Sequence, residues 1–114
     1  MKAYKGSEIE KFTKRPGLTG TFVHEKDLTL AHWLFEKNMS LAAHSHPHAQ
    51  ITYVISGKLR YELEDGRAEV IEAGGFAMLA PNEVHGATAL EDTILLDAFS
   101  PAREDFKKEM GWKD

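Results

Sequence analysis

Three histidines and a glutamine are concentrated in one short segment, which reads His44-Ser-His46-Pro-His48-Ala-Gln50. Side chains two residues apart on an extended strand point to the same side, so His44, His46 and Gln50 can face one point. Imidazole nitrogens and an amide oxygen are suitable ligands for Zn, Ni, Fe, Mn or Co. The spacing therefore predicts a divalent transition-metal site with a coordination position open to water or substrate.

A further candidate ligand, His85, follows a turn at residues 80–82, from which a neighbouring strand can bring it to the same point. The chain has no cysteine, which excludes thiolate ligands, disulfides and a cysteine nucleophile. The alternative, that the clustered histidines belong to a solvated loop, is disfavoured by the spacing of Gln50, Gly57 and His85.

A single carboxylate interrupts the apolar segment at residues 94–99, which reads ILLDAF. Asp97 shares a strand face with Leu95 and Phe99, and burying a carboxylate there costs several kcal/mol unless it is paired, faces a metal or is protonated. We expect a functional role for Asp97. The structural alternative is a buried ion pair with one of three arginines: Arg60, Arg67 or Arg103.

Length and charge limit the classes of protein to consider. The chain has 114 residues, 42% of them hydrophobic, and a net charge of −4 from 14 Lys+Arg and 18 Asp+Glu. This size predicts one domain over residues 1–114. Basic residues are scattered among acidic ones, which disfavours a nucleic-acid partner. We find no signal-peptide core and no membrane-length apolar run, and we expect a cytoplasmic protein.

Short apolar segments separated by turn residues predict an all-β fold, a jelly roll or small barrel of about eight strands over residues 20–100. The predicted strands cover residues 21–25, 28–37, 50–55, 58–63, 68–71, 76–80 and 92–100. Ser56-Gly57 predicts a two-residue hairpin turn between the third and fourth of these strands, because Gly57 supplies a positive φ. The aromatic-rich residues 31–35 are expected to pair or pack with a second copy, forming a homodimer.

The end of the chain has a different pattern. Ser100 is a capping residue and Pro101 suits the first helical position, so we predict a short helix over residues 101–112. Phe106 and Met110, four residues apart, are expected to pack it against the β core.

The histidine-rich segment resembles the first sequence motif of the cupins, with His44, His46, Gln50 and Gly57 at the expected spacing. Residues 74–86 resemble the second motif, which places His85 as a ligand. The resemblance implies a cupin jelly-roll barrel that binds a metal through His44, His46, Gln50 and His85.

The chain departs from the usual cupin pattern at several positions. Gln50 stands where many cupins have Glu, and Asn38 replaces the usual opening Gly. Ala80, Asn82 and Ala89 replace the usual Pro, Gly and Asn. With an amide in place of a carboxylate, the ligands leave a divalent ion a net charge of about +2 instead of about +1, which favours an anionic ligand. We therefore expect a small carboxylate or sugar acid as substrate.

Residues 44–57 and 95–106 look like the single-domain pectin-degradation cupins of the KdgF type, and the similarity extends over residues 28–106. That family opens the ring of 4,5-unsaturated uronates, giving linear 5-keto-4-deoxyuronate. The resemblance implies that Asp97 transfers a proton, that Phe99 packs on the sugar ring and that Arg103 binds the substrate carboxylate in a bidentate pair.

Two other functions fit the same residues, because cupins host many chemistries. One is a metal-dependent dioxygenase or lyase acting on another small acid. The other is a small-molecule-binding cupin without turnover. Metal analysis and oxygen consumption distinguish the first from uronate opening, and ligand-induced stabilisation without product would indicate the second.

Overall fold

The computed structural model describes residues 1–113, and this part of the chain contains ten strands and one α-helix. The strands are β1 (Phe12–Arg15), β2 (Leu18–His24), β3 (Thr29–Phe35), β4 (Ser40–His44), β5 (Ala49–Ser56), β6 (Lys58–Leu63), β7 (Ala68–Glu72), β8 (Phe76–Leu79), β9 (His85–Ala89) and β10 (Thr93–Ser100). A single 3-10 turn, Gly6–Glu8, precedes them, and helix α1 (Glu104–Met110) follows.

Two antiparallel sheets form the body of the fold. One has six strands in the order β1-β2-β3-β10-β5-β8, and the other has four in the order β4-β9-β6-β7. Apolar side chains from the inner faces of both sheets, among them Phe22, Leu59 and Leu95, form a single core cluster. The predicted all-β jelly roll with a short C-terminal helix is confirmed.

Alternation along β10 shows how the sequence positions functional side chains. Thr93, Leu95, Asp97 and Phe99 are buried, while the residues between them are half-buried on the other face of the sheet. A strand directs alternate side chains to opposite faces, so the carboxylate of Asp97 lies on the core side with its apolar neighbours.

The predicted hairpin at Ser56-Gly57 is wrong. β5 pairs with β8 and β10 in the six-stranded sheet, whereas β6 pairs with β7 and β9 in the other sheet. Gly57 has φ of 88° and marks the point where the chain crosses between sheets. A Cβ there would collide with the backbone of Asp92 and Thr93, so the glycine permits a close approach as well as the left-handed conformation.

Strands β1, β4 and β9 were not predicted from the sequence. β4 and β9 consist mainly of small residues and histidine, as in His85-Gly-Ala-Thr-Ala89, and such segments have little intrinsic strand preference. They become strands because β9 lies between β4 and β6 and forms backbone hydrogen bonds with both. Tertiary pairing therefore overrides local propensity.

Two asparagines occupy left-handed backbone positions. Asn38 has φ of 74° and Asn82 has φ of 65°. These are the two positions at which the cupin resemblance leads one to expect glycine, and asparagine tolerates this conformation better than most residues. The turns are therefore retained despite the substitutions.

The helix is shorter than predicted. Ser100 is the last residue of β10, and Pro101 lies before the first helical residue, Glu104, so neither residue begins the helix. Helix α1 begins at Glu104, with Arg103 at its N-cap, and ends at Met110, with Gly111 as a left-handed C-cap. Phe106 is buried and Met110 packs against the core, as predicted. No helix within residues 1–113 has the length and apolar character required to cross a membrane.

Strand β3 does not offer residues 31–35 to a second copy. Ala31, Trp33 and Phe35 are buried in the core, and β3 is hydrogen-bonded to β2 on one side and β10 on the other. The expectation that this strand pairs or packs through its aromatic side chains is therefore wrong, because the aromatics fill the interior of the domain.

Candidate active site

Three histidines converge at one end of the jelly roll. His44 is the last residue of β4 and His85 the first residue of β9, and the two are directly paired across the antiparallel strands. His46 follows in the loop between β4 and β5. One ring nitrogen from each of the three lies within 4.8 Å of the others, close to the separation of about 3–4 Å expected for ligands bound at about 2.1 Å to one ion.

Backbone carbonyls fix the tautomers of two of these rings. His44 Nδ1 lies 2.8 Å from the carbonyl oxygen of Ala42, and His85 Nδ1 lies 2.8 Å from that of Glu83. A carbonyl only accepts, so Nδ1 carries the proton and donates it in both cases. In the neutral form of each ring, Nε2 then has the lone pair that metal ligation requires.

His46 and Gln50 meet beside this pair. His46 Nε2 lies 3.0 Å from Gln50 Oε1, and the buried Nδ1 of His46 has no hydrogen-bond partner within the described residues. Burial lowers the pKa of His46 to about 4, with the positive charge of Arg103 contributing in the same direction. Burial also lowers the pKa of His85. Both rings are therefore neutral at neutral pH, the form that binds metal.

The donor set therefore fits a divalent transition metal. Three convergent imidazoles match the nitrogen ligands of catalytic zinc and related ions, and Gln50 Oε1 offers a fourth, oxygen ligand. The sequence prediction placed these four residues together, and the structure brings the three histidines into one cluster with Gln50 in contact with His46.

A cavity of about 300 Å³ opens beside the histidines. Its wall includes the three predicted catalytic residues, Asp97, Phe99 and Arg103, together with His44, His46, Gln50 and His85. Strand pairing explains why candidate ligands and candidate catalytic residues lie together, since Gln50 on β5 is directly paired with Phe99 on β10. Candidate ligands and candidate catalytic groups therefore share one pocket.

Asp97 is buried and hydrogen-bonded. Its Oδ1 accepts from Thr52 Oγ1 at 2.6 Å and from Gln50 Nε2 at 3.2 Å. Burial raises the pKa of Asp97 to about 6, although these hydrogen bonds and the charge of Arg103 oppose the rise. Arg60 and Arg67 pair with Glu62 and Asp65 instead, so the ion pairs with Asp97 considered for these two arginines do not form.

The guanidinium of Arg103 is already held by a neighbouring carboxylate. Nε donates to Asp105 Oδ1 at 3.0 Å and Nη2 to Oδ2 at 2.8 Å. The group lies over two rings, 4.7 Å from the Phe99 centroid and 3.8 Å from that of Phe106. Because one fork of the guanidinium binds Asp105, a substrate carboxylate must use the remaining N–H groups.

Comparison with known proteins identifies the family of this chain. Residues 31–99 match the family model described as the cupin domain. This chain belongs to the cupin family. The pectin degradation protein KdgF of Dickeya dadantii (strain 3937) is 37% identical over 82 residues, which are 70% of this cupin and 74% of that protein.

Two solved structures resemble this cupin closely. KdgF from Halomonas sp. aligns with a TM-score of 0.83 and 31% identity, covering 90% of this chain and 97% of that one. An RmlC-like cupin from Shewanella frigidimarina NCIMB 400 also aligns with a TM-score of 0.83, at 33% identity over 90% of this chain and 93% of that one.

Sequence reasoning missed two polar residues next to the ligands of this cupin. Thr52 follows Gln50 on the same face of β5, and Tyr61 reaches the pair from β6. Both are buried. The period-2 pattern of QITYVI and KLRYEL assigns them to the inner faces, but only the packing of the two sheets brings their hydroxyls together.

Two basic residues that line the cavity were also missed. Lys14 and Arg15 of β1 line the pocket, and their strand was not predicted. Lys14 pairs with Glu109 of helix α1 at 3.2 Å. The charge of Lys14 is thus shared with Glu109, while Arg15 adds positive charge to the cavity lining, which suits an anionic ligand.

The other histidines lie outside the ligand cluster. His48 is half-buried against the ring of Phe99, and burial lowers its pKa. His24 bonds Thr29 and stacks on Phe22 in the core, and His32 is on the outer face of β3.

Proposed function

We propose that this cupin opens the ring of 4,5-unsaturated uronates to give linear 5-keto-4-deoxyuronates. The observation that carries the proposal is the shared cavity, in which the buried carboxylate of Asp97 lies with the histidine cluster and the guanidinium of Arg103. The similarity to a pectin degradation protein over most of the chain supports the same reaction.

The charge and size of the cavity suit a single sugar acid. Arg103, Lys14 and Arg15 all line the cavity, and this positive charge favours a carboxylate ligand. The N–H groups of Arg103 that do not bind Asp105 are available to a substrate carboxylate. A volume of about 300 Å³ is at the lower end of the range for small-molecule sites.

His44, His46, His85 and Gln50 would hold a divalent transition metal. When bound, such an ion supplies a Lewis acid that stabilises negative charge on a substrate oxygen. Because all four ligands are neutral, the ion keeps a charge of about +2 and favours an anionic substrate.

The proposed reaction is an isomerisation in which Asp97 moves a proton. Its carboxylate accepts the proton of the anomeric hydroxyl while the bond from C1 to the ring oxygen breaks, leaving a C1 aldehyde. The electron pair of that bond stays on the former ring oxygen, so C4, C5 and this oxygen become an enolate. Asp97 then returns the proton to C4 and the ketone forms at C5, with no oxidant or reductant consumed.

Phe99 and Arg103 position the substrate for this transfer. Phe99 forms an apolar surface between His46 and Arg103, which suits the face of a sugar ring and excludes water from the carboxylate. Arg103 fixes the substrate carboxylate, and with it the orientation of C4 and C5.

The experiment is to measure the loss of C4=C5 ultraviolet absorbance from freshly generated unsaturated galacturonate, with and without metal-loaded protein. Spontaneous opening in buffer gives the baseline. We expect clear acceleration that is lost by at least about 100-fold in Asp97→Asn, which removes the proton-accepting group without changing its shape. Metal content and thermal midpoint serve as controls for that variant. No acceleration by wild type, or full activity in Asp97→Asn, would contradict the proposal.

We also propose that this cupin acts as a homodimer, formed through the outer face of the six-stranded sheet. Exposed apolar side chains cover this face on β5 and β8, including Ile51, Phe76 and Met78. The outer face of the four-stranded sheet instead carries polar pairs such as Arg60–Glu62. An apolar face of this kind is typical of a symmetric, self-complementary interface.

A further inference from the structure

Four buried polar side chains form one hydrogen-bonded group between the two sheets. Gln50 and Thr52 come from β5, Asp97 from β10 and Tyr61 from β6. Thr52 and Asp97 are directly paired in the sheet register. Gln50 Nε2 lies 3.2 Å from each of three oxygens: Thr52 Oγ1, Tyr61 OH and Asp97 Oδ1.

The two hydroxyl groups form a chain of hydrogen bonds that ends at Asp97. Thr52 Oγ1 donates its only hydrogen to Asp97 Oδ1 at 2.6 Å. Tyr61 OH is 2.6 Å from Thr52 Oγ1, whose hydrogen is already used, so Tyr61 donates. No hydroxyl hydrogen in the group remains for a carboxylate at position 50.

The orientation of the Gln50 amide follows from this arrangement. Its –NH₂ group donates to Asp97 Oδ1 beside the shorter hydrogen bond from Thr52, and its carbonyl oxygen is therefore turned to the other side, toward His46. An amide has one donating and one accepting end, and both ends are used here. A glutamate carboxylate at position 50 could accept a hydrogen bond on the side that faces His46, but it could not donate one to Asp97.

We propose that Gln50 and Asp97 are a matched pair: the carboxylate at position 97 requires an amide at position 50. A neutral residue at position 50 of the ligand set and a proton-transferring carboxylate at position 97 are therefore required together. The pairing rests on the proposed function only in treating Gln50 as a metal ligand, since its hydrogen bonds stand without metal or substrate.

Glutamate at position 50 would set two carboxylates against each other. It has the shape of glutamine, so an oxygen would replace Nε2 at 3.2 Å from Asp97 Oδ1. Two buried carboxylates at this separation cannot both ionise without a large penalty. Converting Asp97 to asparagine at the same time restores one donor and one acceptor across the contact, with the polarity reversed.

The test is a double-mutant cycle on metal-free protein in chelator, comparing wild type, Gln50→Glu, Asp97→Asn and the double variant by thermal unfolding. We expect Gln50→Glu to lower the midpoint by at least about 5 °C. We expect Asp97→Asn to stay near wild type and the double variant to recover most of the loss. Additive shifts, with the double variant no more stable than Gln50→Glu, would overturn the pairing. Failure of both chains that carry Gln50→Glu to fold would overturn it as well.

A second readout is the affinity for zinc, measured by titration of the same four proteins. The double variant presents a carboxylate ligand without an opposing charge, so we expect it to bind zinc at least about tenfold more tightly than wild type. Gln50→Glu alone is expected to gain less, and equal gains in the two variants would contradict the pairing. The absorbance assay tests the proposed function separately, because loss of uronate opening leaves the unfolding cycle unaffected.

Discussion

His44 and His85 illustrate how single residues are prepared for a ligand role. Each ring donates Nδ1–H to a backbone carbonyl two residues earlier in the chain, which fixes the ring and leaves Nε2 with its lone pair. Burial also prepares His46 for a ligand role, because it lowers the pKa of this ring to about 4 and so keeps it neutral at neutral pH. The site is thus ready for a cation at neutral pH.

Replacing His44 tests this readiness directly. His44→Ala removes one of three nitrogen ligands from an exposed position, so we expect little change in the stability of the metal-free chain. Zinc or nickel is expected to raise the thermal midpoint of wild type, because it binds the folded state, and to raise that of the variant much less. His32→Ala is the matched control, since His32 lies on the outer face of β3. Equal metal-induced shifts in all three proteins would show that the metal binds elsewhere.

At the scale of elements, the start of helix α1 positions Arg103. The backbone N–H of Arg103 donates to Thr29 Oγ1 at 2.8 Å, which fixes the N-cap of the helix to β3. Asp105, in the first helical turn, then holds the guanidinium over the rings of Phe99 and Phe106. A short helix thereby supplies the cavity with an oriented cation.

Asp105→Asn is expected to raise KM for the uronate by about tenfold with a smaller change in kcat. The variant loses the charged, two-point contact that holds Arg103, while the contacts of Arg103 with the two aromatic rings remain. Substrate binding is therefore expected to weaken more than the rate of the chemical step. Steady-state kinetics on the absorbance assay measures both constants. Glu104→Gln, which removes an exposed carboxylate from the same helical turn, is the control.

The same contact predicts a pH dependence of stability. The hydrogen bonds from Arg103 lower the pKa of Asp105 to about 2, below its ordinary value of 3.8. Its stabilising contribution is therefore complete above about pH 4 and is lost as the pH falls toward 2. The difference in thermal midpoint between wild type and Asp105→Asn should shrink over that interval. His48 also faces Asp105, so the scan is repeated in a His48→Asn background. A difference that does not vary with pH would contradict this assignment.

For the whole molecule, the two sheets differ in the surfaces that they present. Strands β3, β10, β5 and β8 direct core side chains and the candidate catalytic residues inward and mainly apolar side chains outward. The four-stranded sheet contributes two of the three histidines but presents ion pairs outward, such as Lys58–Glu72. The site therefore lies between the sheets, and the proposed dimer interface lies on the back of one of them.

Ile51→Glu tests the proposed interface. Ile51 is 49% exposed on the outer face of β5, and a charge there should convert a dimer to a monomer without reaching the cavity. Val70→Glu is the matched control, because Val70 is 47% exposed on β7 in the other sheet. Light scattering measures the mass of each protein. Wild type that is monomeric at micromolar concentration, or a dimer that survives Ile51→Glu, would contradict the proposal.

Local spacing along the chain was enough to predict several features of this cupin. The positions of His44, His46 and Gln50, the alternation that buries Asp97 and the all-β class follow from residue type and period-2 geometry, which act over a few residues. The turns at Asn38 and Asn82 tolerate their substitutions for the same local reason.

Which strands meet could be read only from the folded chain. β5 and β6 are consecutive in the chain but lie in different sheets, so Tyr61 reaches Thr52 across the core and not along a hairpin. The short polar strand β1 and the small-residue strands β4 and β9 are stable only because neighbouring strands complete their hydrogen bonds. The Asp105 contact likewise depends on where helix α1 begins. These pairings depend on the burial and hydrogen bonding of distant segments, which no local pattern in the sequence specifies.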